Sequence, residues 1–511
     1  MQSSEASLRS DGRAAVRELI LVILFLTVVV AAAGYWCFRG GYILYYGDAQ
    51  AHLNISRGLM DSKTPGYDQI GTVWLPVLHV ICLPLVQNDF LWSSGLAGTI
   101  PVAVCFIIAA TTLYLAARNA YGSILPAAIV LACFVLNPNV LYLATIPMTE
   151  IVFLAGLALL LLAELRYSRN TRTRWFAIGI ICCWFISLTR YDGWFLIPFA
   201  AAWFAISSPQ RRVLCFILFM LLAGLAPAYW LAHNWYESGS ALYFYNGPYS
   251  AVAIQGRPDY PGYQSWRLAL LYYGSAAQLC AGWSLIWLGL LGVLSAAAHR
   301  VLKPALFLSL TPLFYLWSMH STGGTPIHVP NLWPHSYYNT RYGIAVVALS
   351  AFAAGAIPLA MPLRFRKYAL LVPLLAVVPW VSHPSRENVI TWKESQVNSD
   401  SRRVWTAESA AFLAAHYQSR QGILSSAGDV PGIYCKAKIH LSETLNIGNG
   451  PAWIAATARP DLFHPNAWAI AQQADLLSKA LEHSPVPVYK VTREIRTKDD
   501  PVLRILTREN P

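Results

Sequence analysis

The chain has 511 residues, of which 56% are hydrophobic, 13% aromatic and only 12% charged. Soluble domains carry about 25% charged residues, so this sequence has too little polar side chain to coat a soluble fold of its length. Its net charge of +12 is gathered in short loops between apolar runs, which argues against nucleic acid as a partner and for a membrane orientation signal.

Apolar stretches of about 17–25 residues predict about eleven transmembrane helices. They fall near 18–37, 93–117, 124–143, 150–166, 175–190, 191–206, 213–236, 268–298, 304–319, 341–361 and 367–382. The first follows Arg9, Arg13 and Arg17, is long for a signal-peptide core and lacks a small-residue cleavage site, so it reads as a retained helix. The stretch 175–206 reads either as two helices or as one long tilted one. Segment 73–87 is short and interrupted by Pro76 and Pro84, and is expected to lie at the membrane surface or re-enter without crossing.

With a cytoplasmic N-terminus, the inner loops hold Arg118, then Arg166, Arg169, Arg172 and Arg174, then Arg211 and Arg212, then Arg300 and Lys303, then Arg364, Arg366 and Lys367. Every short loop on that side is basic, as the positive-inside rule requires. The outer side then receives loops 38–92, 237–267 and 320–340, and the tail. The expected architecture is an α-helical polytopic protein of the inner (plasma) membrane, with a transmembrane domain over 1–382 and a small soluble α/β domain over 383–511.

In the tail, an amphipathic helix is predicted at 402–418, a short apolar segment at Gly422 to Leu424 and a turn at Gly428 to Gly432. A second helix is predicted from Trp468 to Leu481, with strands at Val486 to Val491 and Val502 to Leu506. Of nine cysteines, seven (Cys82, Cys105, Cys133, Cys182, Cys183, Cys215, Cys280) sit in apolar runs and read as small hydrophobes. Cys37 and Cys435 lie near expected aqueous regions, and no disulfide is predicted.

The first outer loop is rich in candidate chemistry. Asp48 follows Gly47 directly after the first span, with His52 four residues on and Arg57 five beyond that. On a helix, Asp48 and His52 would share a face and could meet one substrate or metal. A carboxylate there can act as general base or hold a divalent cation against a phosphate leaving group. The plainer reading makes Asp48 a helix cap and His52 a solvated loop residue. Glu150 ends LNPNVLYLATIPMTE, where a span re-enters from outside; it is a functional candidate beside irregular polar backbone, or an acid stabilised in a first turn. Arg190 and Asp192, in LTRYDGW, must pair or face an aqueous cavity, as ligand contacts or as a structural pair. The later outer loops are dense in Tyr, Gly, Pro and His. Tyr245 and Tyr337 suit stacking on sugar rings, and Arg341, at a span's start, suits bidentate contact with phosphate. His320, His328 and His335 lack metal-ligand spacing and read as solvated loop residues.

Taken in order, GDAQAH, the Pro-broken GTVWLPVLH, NP…PMTE, RYDG and NTRYG resemble the GT-C superfamily of polytopic glycosyltransferases. The likeness is to the branch similar to dolichyl-phosphate-mannose protein mannosyltransferases and RgtA/B/C/D-like enzymes, and covers about 1–382. Each motif is short and degenerate; the ordered set carries the resemblance. It implies inverting transfer of a sugar, a hexose such as mannose, from a polyprenyl-phosphate donor lipid to a glycan, lipid or protein acceptor on the outer face. Asp48 would be the catalytic carboxylate, Glu150 a second acid, Arg341 the lipid-phosphate contact, and His52, Arg57, Arg190, Asp192, Tyr245 and Tyr337 substrate contacts. The sequence departs from the family's Asp-Glu or Asp-x-Asp doublet, since Ala49 and Gln50 follow Asp48. A divalent cation (Mg or Mn) on Asp48, His52 and Glu150 is one expectation, and a metal-free site the other. The competing classes are a secondary transporter, which should show repeat symmetry and midplane charges, and an inactive scaffold that binds the lipid carrier.

Overall fold

A computed structural model describes residues 2–248, 250–255, 260–426, 432–463, 465–498 and 501–509. Residues 427–431, which hold most of the expected Gly428–Gly432 turn, lie outside the described residues. The polypeptide forms two compact units: Met1–Gly40, Val102–Thr145 and Thr149–Glu394 in the first, and Gly41–Pro101, Ile146–Met148 and Ser395–Pro511 in the second.

Five helices among the described residues are long and apolar enough to cross a bilayer: Ala14–Gly40, Leu96–Tyr121, Thr149–Asn170, Arg212–Ser238 and Thr340–Ala360. Leu21, Val28, Val213 and Leu221 are each more than half exposed on such helices. Apolar surface of that kind is stable against hydrocarbon, where the helix satisfies its own backbone. Shorter apolar helices, Ile124–Val135, Thr173–Ser187 and Asp192–Ser207, accompany them, as do Lys303–Ser321 and Leu371–Val381.

Two expected spans are broken, and the 175–206 stretch takes the two-helix form of its two readings. The 175–206 stretch is two helices, Thr173–Ser187 and Asp192–Ser207, joined by the RYDG turn. A Cβ on Gly193 would stand 2.6 Å from Ile186 and Ser187 backbone atoms, so only glycine lets the second helix start this close to the first. The 268–298 stretch, expected as one span, is instead Trp266–Ala281 and Trp283–Ala298, bent by 101° at Gly282. Its hydropathy is apolar on both sides of the break, so composition carried no sign of it. The 124–143 stretch stops at Val135 and resumes as the short helix Pro138–Leu143. Asn137 caps that restart, accepting from the Asn139 and Val140 amides at 2.9 and 3.2 Å.

The second unit joins the first outer loop to the tail. Helix Val77–Val86 starts after Pro76 and carries Pro84. The tail holds helix Asp400–His416 and a five-stranded sheet: β1 Ile423–Ser425, β2 Thr444–Leu445, β3 Trp468–Gln472, β4 Tyr489–Ile495 and β5 Leu503–Arg508. The strand order is β2-β1-β3-β5-β4, with β1 parallel to β2 and β3, and β5 antiparallel to β3 and β4. Leu424, Leu445, Trp453, Ala469, Leu477 and Leu506 pack its core.

The helix expected over Trp468 to Leu481 is wrong in its first half. Trp468 to Gln472 form β3, and the helix runs only over Leu476–Glu482. Asp475 starts it by accepting from the Ser478 amide at 2.6 Å, a cap signal inside a run that reads as helical throughout. All nine cysteines are free. Cys37 and Cys435, expected near water, are both buried.

Candidate functional site

In the first unit, the rare charges of an apolar sequence collect into one cluster. Thr149 and Glu150 open helix Thr149–Asn170, while Arg190 lies just before helix Asp192–Ser207 and Asp192 opens it. Arg341 sits in the 3-10 turn Thr340–Gly343 and Glu394 on helix Ile390–Val397. Arg190 donates from Nη1 to Thr149 Oγ1 (2.8 Å) and Glu150 Oε1 (3.1 Å), and from Nε to Asp192 Oδ1 (3.2 Å). Its Nη2 donates to the Tyr315 hydroxyl at 3.0 Å, which donates on to Asp192 Oδ2 at 2.9 Å. Arg341 donates from Nε to Glu150 Oε1 (3.0 Å) and from Nη1 to Glu394 Oε1 (2.9 Å). Glu394 also accepts the Thr340 amide at 2.7 Å and the Thr340 hydroxyl.

Glu150, Asp192 and Glu394 are each 3% exposed or less. Buried charges persist only when paired and hydrogen-bonded, and here each guanidinium is held between two carboxylates. Glu150 Oε2 is the exception, buried with no hydrogen-bond partner among the described residues. The cluster fixes two cations in a water-poor setting, where preorganised charge counts for most. It also engages Arg341 with carboxylates on two of its nitrogens.

In the second unit, helix Gly47–Gly58 carries Asp48, His52 and Arg57. Tyr46, not Asp48, occupies the N-cap position, and Asp48 lies in the first turn, half-buried. Arg402 and Arg403 secure the chain just before it. Arg402 donates to the Leu44 carbonyl (3.3 Å) and the Tyr45 carbonyl, while Arg403 donates to the Tyr45 hydroxyl at 3.2 Å.

His52, expected in one reading as a solvated loop residue, is buried. Its ring packs on Trp74, and its Nδ1 pairs with His79 Nε2 at 2.9 Å. Burial, and then the charge of His52, hold the His79 imidazole well below its ordinary 6.5. Arg57 is buried as well. It pairs with Asp61 and Asp89 at 2.8 Å each, donates to the Val86 carbonyl at 2.9 Å, contacts His440 Nδ1 at 3.1 Å and lies over the Trp92 ring. Such a web makes Arg57 a staple of this unit, binding outer loop to tail through Asp61, which also accepts the Ser442 amide at 3.0 Å. Partial burial would raise the Asp61 carboxyl, but hydrogen bonds from Ser442 and Arg57 and the Arg57 charge bring it down from 3.8 to about 2.

Tyr245 is half exposed in the short helix Tyr243–Asn246, its hydroxyl donating to the Thr322 carbonyl at 3.1 Å. Tyr337 is partly exposed in the loop before Thr340. His320 stacks face to face on Trp266 at 4.0 Å. Asp48 and His52 belong to the second unit and Glu150 to the first. Among the described residues, no three His, Cys, Asp or Glu side chains are grouped so as to share a metal ion.

Tyr315, Thr340 and Glu394 complete the cluster but were not singled out from sequence. Glu394 lies in a stretch whose polarity reads as tail. Tyr315 lies in an apolar helix where an aromatic gives no sign of its hydroxyl's partners.

No family model matches the chain, and no curated protein matches it. Among solved structures it is similar to ArnT from Cupriavidus metallidurans bound to undecaprenyl phosphate, with a TM-score of 0.56 at 13% identity, covering 94% of this chain and 98% of that one. It is likewise similar to ArnT from the same organism in the apo state, with a TM-score of 0.56 at 12% identity, covering 96% and 98%. At such identity the likeness shows the fold alone, shared along nearly the whole length of the chain.

Proposed function

We propose that this chain, a polytopic membrane protein of GT-C fold, is a glycosyltransferase that moves a sugar from a polyprenyl-phosphate donor to an acceptor hydroxyl. The observation that carries the reading is the likeness along nearly the whole length to a structure bound to undecaprenyl phosphate. A lipid-anchored sugar phosphate needs a protein that is mostly membrane yet offers charge and water to the reacting groups, and this chain divides its polar residues accordingly.

In the proposed chemistry, the acceptor oxygen attacks the anomeric carbon as the bond from that carbon to the phosphate oxygen breaks. The phosphate leaves with the bonding pair, and the configuration inverts. Asp48 takes the acceptor proton, a role suited to a half-buried carboxylate at a helix start. A positioned base contributes about 10²–10⁴-fold. The rest falls to positioning and to neutralising the departing phosphate. Arg190 and Arg341, their forks fixed by Glu150, Asp192 and Glu394, are the proposed cations for that phosphate. Tyr245 and Tyr337 are proposed to stack on the sugars. A hexose donor, outward-facing transfer and residence in the inner membrane complete the reading.

The test is reconstitution in proteoliposomes with a polyprenyl-phosphate-linked hexose and candidate acceptors. Release of polyprenyl phosphate with gain of a glycosylated acceptor supports the reading. Solute uptake with no donor consumed would indicate a transporter, and donor binding with no release an inactive scaffold.

A further inference from the structure

A separate feature lies between helices Asp192–Ser207 and Lys303–Ser321. They enclose a groove of about 300 Å³, lined mainly by Phe199, Trp203, Ile206, Leu306 and Leu310. Trp203 meets Phe307 edge-on at 5.6 Å to form its floor. Ile206 and Leu306 are 65% and 57% exposed, so the groove opens sideways off the helix pair.

Its polarity is graded. The helix that ends at Ser207 and the helix that begins at Lys303 bring those two residues to the same end of the groove. There the Ser207 hydroxyl shares a 2.7 Å hydrogen bond with Ser168, which accepts the Trp203 indole N–H at 3.1 Å. Lys303 is exposed and pairs with no carboxylate among the described residues. It also stands in the first turn of its helix, where the backbone dipole adds to its positive charge. Toward Phe199 and Leu310, two turns away along each helix, the lining is wholly apolar. Arg211, Arg212 and Arg300 lie in the loops at the polar end, the side that the positive-inside pattern assigns to the cytoplasm.

We infer that this groove binds an anionic glycerophospholipid of the inner leaflet, with one acyl chain along Phe199, Trp203, Leu306 and Leu310 and the phosphate at Lys303 and Ser207. The charge at one end and the apolar run from it match an amphiphile with a negative head. A cytoplasmic leaflet rich in anionic lipid supplies one. The inference does not depend on the proposed transferase activity.

The test is native mass spectrometry of the full-length protein, released from micelles doped with equal amounts of phosphatidylglycerol and phosphatidylcholine. The wild type should retain phosphatidylglycerol several-fold more than phosphatidylcholine. K303Q should abolish that preference, and A202W, which puts a bulky ring on the Ala202 that also lines the groove, should lower retention of both. Equal retention of the two lipids by the wild type, or an unchanged preference in K303Q, would overturn the inference. So would displacement of phosphatidylglycerol by polyprenyl phosphate, since the groove would then belong to the donor lipid.

Discussion

Arg57 and His52 show what a charged or titratable residue in an apolar chain does when it folds inward. Both were expected to face a substrate, yet Arg57 is 3% exposed and holds Asp61, Asp89 and a backbone carbonyl. Removing it leaves the half-buried Asp61 without its cation and the Val86 carbonyl without its donor, a loss of about 1–3 kcal/mol. Arg57→Ala should therefore lower the thermal unfolding temperature of the purified protein, with Arg57→Lys recovering only part, because an ammonium cannot reproduce the fork. Loss of sugar transfer with unfolding unchanged would restore Arg57 to the substrate. His79 gives a pH signature. Its folded pKa is depressed while the unfolded one is ordinary, at 6.5. The unfolded state therefore binds more protons below about 6.5, and stability falls as pH drops through that value. Unfolding followed from about pH 7.5 to 5.5 should show this slope, and His79→Gln should flatten it. Glu150, Arg190, Asp192 and Arg341, which the structure gathers into one cluster, stood out in the sequence by their rarity among apolar residues. Their partners did not, because Glu394 and Tyr315 are chosen by tertiary contact across more than a hundred residues in the case of Tyr315 and Asp192.

Helix existence was readable from apolar run length, but helix continuity was not. The break at 282 and the strand at Trp468–Gln472 both lie in stretches whose composition is continuous across the boundary. The strand forms because β1 and β5 flank it on both sides, an arrangement set by distant residues. Close helix pairing is testable where helix Trp283–Ala298 meets helix Ile344–Ala354. A Cβ on Gly292 would lie 2.0 Å from the Ala353 carbonyl oxygen, and backbone cannot yield as a side chain can. Small residues at such crossings let membrane helices approach. Gly292→Ala should cost about 1–3 kcal/mol by overpacking. Gly274→Ala, where a Cβ meets nothing within 4 Å, should be neutral or mildly stabilising. Equal unfolding temperatures for the two variants would contradict the packing seen here.

For the molecule entire, the tail proved less separable than its composition suggested. Its residues 395–511 share a compact unit with the first outer loop, joined by contacts such as the 2.8 Å bond from Gln69 to the Gly448 carbonyl. The family likeness read from motifs covered about 1–382, whereas the structural likeness covers 94% of the chain. The tail is therefore part of the fold that this chain shares with ArnT, although no motif in it announced as much. A sheet core needs only apolar residues at the right places, and many sequences supply those.

The proposed activity turns on Asp48, half-buried in the first turn of helix Gly47–Gly58. The decisive measurement is the rate of polyprenyl-phosphate release in proteoliposomes by Asp48→Asn against the wild type, with unfolding temperature recorded alongside. A fall of about 10²–10⁴-fold at unchanged unfolding temperature is expected. Release by Asp48→Asn at the wild-type rate would contradict the account.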